Sequence, residues 1–278
     1  MTRYVDISNP TTTISERERP SSLDPARLDA AWRATERLYR TRTQPAIALA
    51  IRHRGELVLE RAIGEARPGV PVTPRTPFCT FSVSKAVSAV LMHLLDERDE
   101  LRLDDPVCEY LPDFARHGKD WVTIRHVLTH RAGIPSVANG RGGLEALTDP
   151  EAVVAALCDA KPVFLPGRRL AYHAVTGGFI LDAIVRRVTG QGMDYLLHKA
   201  IAEPLGFEYL SYGLPAGKHA LAAKNRFTGL GVPFPFSRLI QRALGMPMRD
   251  AVHASGFAAI YVAALILGNS ELPHRVAT

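Results

Sequence analysis

Cysteine is scarce here and forms no paired motif. Cys79, Cys108 and Cys158 are the three cysteines in 278 residues, and no C-x-x-C occurs. An odd number without metal-type spacing excludes a disulfide-framework protein and a thiolate metal centre, and it fits a reducing compartment. The opening Met1-Thr2-Arg3-Tyr4-Val5-Asp6 lacks the apolar stretch of a secretory leader. The longest uncharged apolar run, Gly256 to Leu267, is shorter than a bilayer crossing requires. Together these absences predict a cytoplasmic protein without a membrane span. Runs of like charge are missing as well. The net charge of +6 is spread over scattered arginines such as Arg186, Arg187, Arg238 and Arg242, which gives no basic stripe for nucleic acid. Neither G-x-x-x-x-G-K-[ST] nor G-x-G-x-x-G occurs, so no phosphate cradle is present for a nucleotide. No serine sits in G-x-S-x-G, since Gly268-Asn269-Ser270 lacks the final glycine, and this excludes an α/β-hydrolase elbow.

What is present describes a folded, mixed domain. Hydrophobic residues make up 46% and charged residues 22% of the chain, enough for a large core. Residues 1–22 are polar, with Pro10, Pro20 and a threonine-rich stretch, and read as a flexible arm. Asp24-Pro25 caps a helix from Ala26 to Tyr39, with Leu28, Ala31, Trp32 and Leu38 at helical spacing. Pro45 to Ile51 and Leu57 to Gly64 read as strands joined by the turn His53-Arg54-Gly55-Glu56. From residue 81 to about 230 the pattern is mainly helical. It includes Trp121–Ile134, stopped by Gly133, then Asp149–Ala160, Thr176–Thr189 closed by Gly190, and Met193–Ala202. Residues 23–80 thus form a helix and hairpin, 81–230 a helical part, and 231–278 a divergent segment returning to the sheet.

Chemistry concentrates at Phe81-Ser82-Val83-Ser84-Lys85, which opens a long apolar helix. Residues at i and i+3 share a helix face, so the Ser82 hydroxyl and the Lys85 amine can lie side by side. A serine at a helix start lies among unpaired N–H groups and the positive end of the dipole, which suit an acyl oxyanion. Burial among apolar neighbours favours a neutral amine, the form that acts as a base. Further on, Pro166-Gly167-Arg168-Arg169-Leu170-Ala171-Tyr172-His173-Ala174 can present a phenol to a cleft, where beside a lysine it can serve as a general base. The alternative for Tyr172 is a core tyrosine with a satisfied hydroxyl. His126 and His130 stand at i, i+4, the spacing of a helical metal pair. No Glu follows His126 and no acidic third ligand is evident, so no metal is expected.

Taken together, these stretches resemble the serine β-lactamase-related family of penicillin-binding peptidases, class C β-lactamases and esterases. The matching residues are Phe81 to Lys85, Leu103-Asp104-Asp105-Pro106-Val107 with Tyr110-Leu111-Pro112, Thr123 to His130, Pro166-Gly167 with Tyr172, and the helix from Gly177 to Gly190. The resemblance implies an α+β fold of the β-lactamase/DD-peptidase type. In that fold an antiparallel sheet flanked by helices lies beside an all-helical domain. It also implies Ser82 as acylated nucleophile, Lys85 as its activator and Tyr172 as proton shuttle, with no metal or organic cofactor. The expected substrate is a small-molecule ester or lactam.

Two departures from the family pattern matter. Its tyrosine motif often reads Tyr-x-Asn, and here Tyr172-His173-Ala174 lacks the amide. That shifts the expectation toward ester hydrolysis, with β-lactamase or D-Ala peptidase activity as the alternative on the same residues, and leaves His173 as a substrate contact. A Lys-Thr-Gly or His-Thr-Gly segment is expected on a later strand, and the nearest stretches are Phe227-Thr228-Gly229 and His253-Ala254-Ser255-Gly256. Ser255 is the candidate substrate contact of the second. A divergent third motif and an incomplete sheet open a further reading, a catalytically silent, C-terminally short member that acts by binding.

Overall fold

The computed structural model describes residues 5–7, 10–19, 22–136, 145–214 and 217–226. They fall into two compact units. The first holds the described residues up to Cys79 together with 217–226, and the second runs from Thr80 to 214.

In the first unit, strand β1 (Thr12–Ile14), helix α1 (Pro25–Arg40) and strands β2 (Ala46–His53), β3 (Glu56–Arg67) and β4 (Val70–Pro71) form an antiparallel sheet with one helix. Asp24 caps α1 by accepting from the Ala26 N–H at 2.9 Å, and Pro25 fills the first position, where a missing N–H costs nothing. Strands β2 and β3 pair from Ala46↔Gly64 to His53↔Glu56 across the two-residue Arg54-Gly55 turn. The helix lays Trp32 and Tyr39 on Leu59 and Ile63 of β3, with Ile47, Leu49 and Ile51 of β2 around them. Gly64 has φ +102, and a Cβ there would stand 2.3 Å from the Pro45 carbonyl oxygen and 2.7 Å from the Tyr39 ring. Only glycine lets β3 pass under the end of α1.

The flexible arm expected over residues 1–22 gives way to order at Thr12–Ile14, which pairs with Arg61–Ile63 of β3. Two ion pairs fix the segment that follows. Arg17 grips Glu60 with two N–H donors at 2.6 and 3.1 Å, and Glu18 accepts from Arg61 at 2.9 Å. A three-residue strand carries too little periodicity to be seen in the sequence. Residues 217–226 are tied to the sheet by Arg67, which donates to the His219 and Ala222 carbonyls.

The second unit is helical, with α2 (Val83–Glu97), α3 (Val107–Tyr110), α4 (Ile124–Leu128), α5 (Pro150–Asp159), α6 (Thr176–Thr189) and α7 (Met193–Leu197). Helix α6 opens on the poor helix formers Gly177 and Gly178. Burial of Phe179, Ile180, Leu181, Ile184 and Val185, at about 2 kcal/mol each, outweighs roughly 1 kcal/mol per glycine. Leu91, Met92 and Leu95 of α2, Phe114, Ile124, Val127 and Leu157 complete the same core. The sequence suggested a helix over Trp121–Ile134. The structure keeps Ile124–Leu128, because Thr129 caps it and His130 turns the chain at φ +60. Among the described residues no helix is long and apolar enough to cross a membrane.

Candidate active site

Helix α2 starts in a way that leaves its first hydroxyl free for chemistry. Phe81 has φ +48, a left-handed conformation uncommon outside glycine, and the next residue, Ser82, stands at the N-cap. N-cap serines ordinarily turn the hydroxyl back onto the helix N–H groups, and Ser82 makes no such bond. Its Oγ is instead hydrogen-bonded to the Tyr172 hydroxyl, which donates to it. The expected supply of unpaired N–H groups is reduced by the turn itself. The amides of Val83, Ser84 and Lys85 donate to the carbonyls of Thr80, Phe81 and Ser82 at 3.1 Å each. The Ser82 amide makes no hydrogen bond among the described residues, so it is the donor here that a developing oxyanion can use.

Lys85 sits one turn along. Its Nζ donates to the Ala174 carbonyl at 2.7 Å and stands 5.1 Å from the centre of the Tyr172 ring. The hydrogen-bond partner of the serine is therefore the phenol, with the Lys85 amine beside the ring. With the phenol ionised beside a cation, such an arrangement can pass the serine proton to the phenolate oxygen. The structure thus brings Ser82, Lys85 and Tyr172 together from two ends of the second unit.

Tyr172 owes its place to the segment after α4. Gly133, at φ +81, lets that segment approach residues 162–166: a Cβ would meet the Phe164 carbonyl oxygen at 2.7 Å. Gly133, Arg131 and His130 then accept in turn from the amides of Val163, Gly167 and Ala171 at 2.8 to 3.0 Å. The Tyr172 segment is zipped onto His130–Ile134 residue by residue.

His173 departs from its expected role as a substrate contact. It is fully buried; its Nε2 accepts from the Ile134 N–H at 3.1 Å, and its Nδ1 donates to the Ala171 carbonyl at 2.6 Å. That pattern fixes the neutral Nδ1–H tautomer. Burial pushes its pKa down to about 4. A ring with both nitrogens committed to backbone has nothing to offer a ligand. Ser255 lies outside the described residues, as do His253–Gly256 and Phe227–Gly229.

The i, i+4 histidines are also structural. His126 Nδ1 accepts from the Thr123 N–H at 3.1 Å and closes the N-terminus of α4, while His130 Nδ1 accepts from the His173 N–H at 3.2 Å. Burial lowers the pKa of both, with help from Arg131 at His126 and from Lys85 at His130. Among the described residues no group of three His, Cys, Asp or Glu side chains is placed to hold a metal ion. The ring-to-amide bonds escaped the sequence reading, because a histidine that accepts from a distant backbone leaves no spacing signal.

A family model described as Beta-lactamase matches residues 33–231. The chain is 35% identical over 171 residues to "Esterase/beta-lactamase LipL" of Mycobacterium tuberculosis (strain ATCC 25618 / H37Rv), covering 60% of this chain and 39% of that one. It is 33% identical over 199 residues to "Esterase EstB" of Burkholderia gladioli, covering 65% of this chain and 50% of that one. Among solved structures, a penicillin-binding protein homologue from Caulobacter crescentus superposes with a TM-score of 0.68 at 32% identity, covering 76% of this chain and 57% of that one. A family VIII carboxylesterase follows at 0.67 and 27%, covering 74% and 57%. The fold and these comparisons define a serine β-lactamase-related protein. The chain belongs to the beta-lactamase family. It spans about half, or less, of the length of these two curated relatives.

Proposed function

We propose that the protein is a serine hydrolase that forms an acyl-enzyme at Ser82 and acts on carboxylic esters. The hydrogen bond between the Ser82 and Tyr172 hydroxyls, beside the Lys85 ammonium, carries this reading. In the reacting form Tyr172 has given up its own proton and is a phenolate steadied by the Lys85 charge; it takes the Ser82 proton as Oγ attacks the ester carbonyl and so becomes a neutral phenol. Tyr172 then returns that proton to the leaving alcohol oxygen as the carbon–oxygen bond breaks. Water repeats the sequence on the acyl-enzyme and releases the acid. The Ser82 amide contributes one oxyanion donor.

Two observations support an ester over a lactam or peptide. Position 174 is alanine, so no side-chain amide is present to orient a lactam or peptide substituent, and Lys85 meets the main-chain carbonyl of that residue instead. Two of the similar curated proteins carry esterase in their names. β-Lactamase or D-Ala peptidase activity on the same three residues is the second reading, supported by the penicillin-binding relatives.

Turnover of p-nitrophenyl acetate and butyrate, beside a chromogenic cephalosporin, on the parent and on Ser82→Ala tests the assignment. Ester turnover that vanishes with Ser82→Ala, with the cephalosporin left intact, is the expected result. Cephalosporin hydrolysis faster than ester hydrolysis transfers the assignment to lactamase. Ester and lactam both untouched, with ligand binding equal in parent and Ser82→Ala, identifies a silent member that acts by binding.

A further inference from the structure

Tyr172 is the middle residue of a clamp made by one histidine. The His130 carbonyl accepts from the Ala171 N–H at 3.0 Å, and His130 Nδ1 accepts from the His173 N–H at 3.2 Å. Between these two bonds the His130 ring meets the Tyr172 ring edge-on, with centres 4.8 Å apart, and stacks on the His173 ring at 5.8 Å. One residue thus reaches both neighbours of Tyr172 and the tyrosine ring itself. That residue also sits at φ +60, where the chain leaves α4.

We propose that His130 is a positioning residue for Tyr172: its unprotonated Nδ1 holds the 171–173 segment where the phenol meets Ser82, and protonation of His130 releases that segment. The proposal rests on the reading of Ser82, Lys85 and Tyr172 as the reacting groups. An imidazole accepts at Nδ1 only while that nitrogen is bare, so the proton belongs on Nε2. A second proton on Nδ1 sets two N–H groups against each other at 3.2 Å and leaves the His173 amide without its acceptor. The groups that face the ring are Lys85 from α2, and Tyr172 and His173 from the clamped segment. Lys85 is the cation among them. Its charge and the burial of the ring both disfavour imidazolium, so the clamp is closed at neutral pH and opens below the usual histidine range. Displacing a catalytic group by about 1 Å can slow a reaction by roughly 100-fold.

The test compares the parent with His130→Asn and His130→Ala across acidic to alkaline pH. Asparagine offers a carbonyl near the Nδ1 position, tolerates a positive φ and does not titrate. The rate of Ser82 modification by a fluorophosphonate is one readout, and ¹⁵N-histidine spectra of the parent, assigned with the asparagine variant, are the other. Expected is a parent rate that falls through a midpoint below the ordinary histidine value of about 6.5. His130→Ala loses about 10- to 100-fold at neutral pH. His130→Asn stays near the parent rate without that acid limb. The spectra show a bare Nδ1 on His130 that takes up its proton at the same midpoint. Ser82 that reacts in His130→Ala as fast as in the parent, with the same acid limb, overturns the inference and leaves the hydrolase reading intact. So does an Nδ1 that carries a proton at neutral pH. Ser82 inert in the parent, with spectra as expected, defeats the hydrolase reading alone.

Discussion

The two units of the molecule handle buried polarity in opposite ways. In the first, α1 packs on the sheet through Trp32, Tyr39, Leu59 and Ile63, and the charged groups pair side chain to side chain, as the exposed Arg17 with the buried Glu60 and Arg61 with Glu18. In the second, Lys119, His173, Thr176 and Asp182 are fully or almost fully buried, and each bonds to backbone. Lys119 donates to the carbonyls of Arg116, Cys158 and Ala160, and Asp182 accepts from the Met193 N–H at 2.7 Å. Thr176 donates to the Ile134 carbonyl and His173 accepts from the Ile134 amide. A helix on a sheet is fixed by side-chain packing, which is close but not directional. In the second unit the Tyr172 side of the site stands on a loop, and directional bonds hold that loop in register.

The sharpest break of this contrast is at the site. Tyr172→Phe removes one oxygen and leaves the ring against His130, so thermal unfolding stays at the parent temperature while Ser82 acylation falls by about 100- to 10,000-fold. An acylation rate within a few-fold of the parent would remove Tyr172 from the proton path. The next largest effect belongs to Lys119→Met, which keeps the volume but removes the donor from three carbonyls, two of them in buried bonds. Urea denaturation is expected to show a loss of about 3 kcal/mol. A loss under about 1 kcal/mol would make Lys119 a space filler.

Acid sharpens the same point. His173 is neutral in the fold with a pKa of about 4, whereas the unfolded chain takes up this proton near 6.5. The native contribution is therefore complete above pH 6.5 and is lost as pH falls toward 4, by about 3 kcal/mol. His126 and His130 add in the same direction. Denaturant midpoints taken across this window on the parent and on His173→Gln check it, since the variant should show a shallower decline. At the small end, Arg17→Gln in the first unit is expected to shift stability by about 1 kcal/mol or less. A larger loss there would erase the contrast between the units.

Much of the frame was legible in the residues. Asp24-Pro25, the Arg54-Gly55 turn, the apolar stripe of α2 and the closure of α6 at Gly190 are local signals, and each element follows within a few residues. Ser82, Lys85 and Tyr172 were legible as a set because their residue types and order match a family pattern. What stayed hidden depends on contacts between distant segments. The strand at Thr12–Ile14 exists because β3 offers an edge, and α4 ends at Leu128 because His130 is drawn to the Tyr172 segment. His173, next to the tyrosine in sequence, looked like a substrate contact. Its ring is turned inward by the Ile134 amide, a partner 39 residues away.

The central claim is that Ser82 is an activated nucleophile, and intact-protein mass after incubation with a fluorophosphonate tests it most directly. The account predicts one adduct on the parent, mapped to Ser82 and absent from Ser82→Ala. A folded parent that takes no adduct, or an adduct that persists in Ser82→Ala, would contradict it.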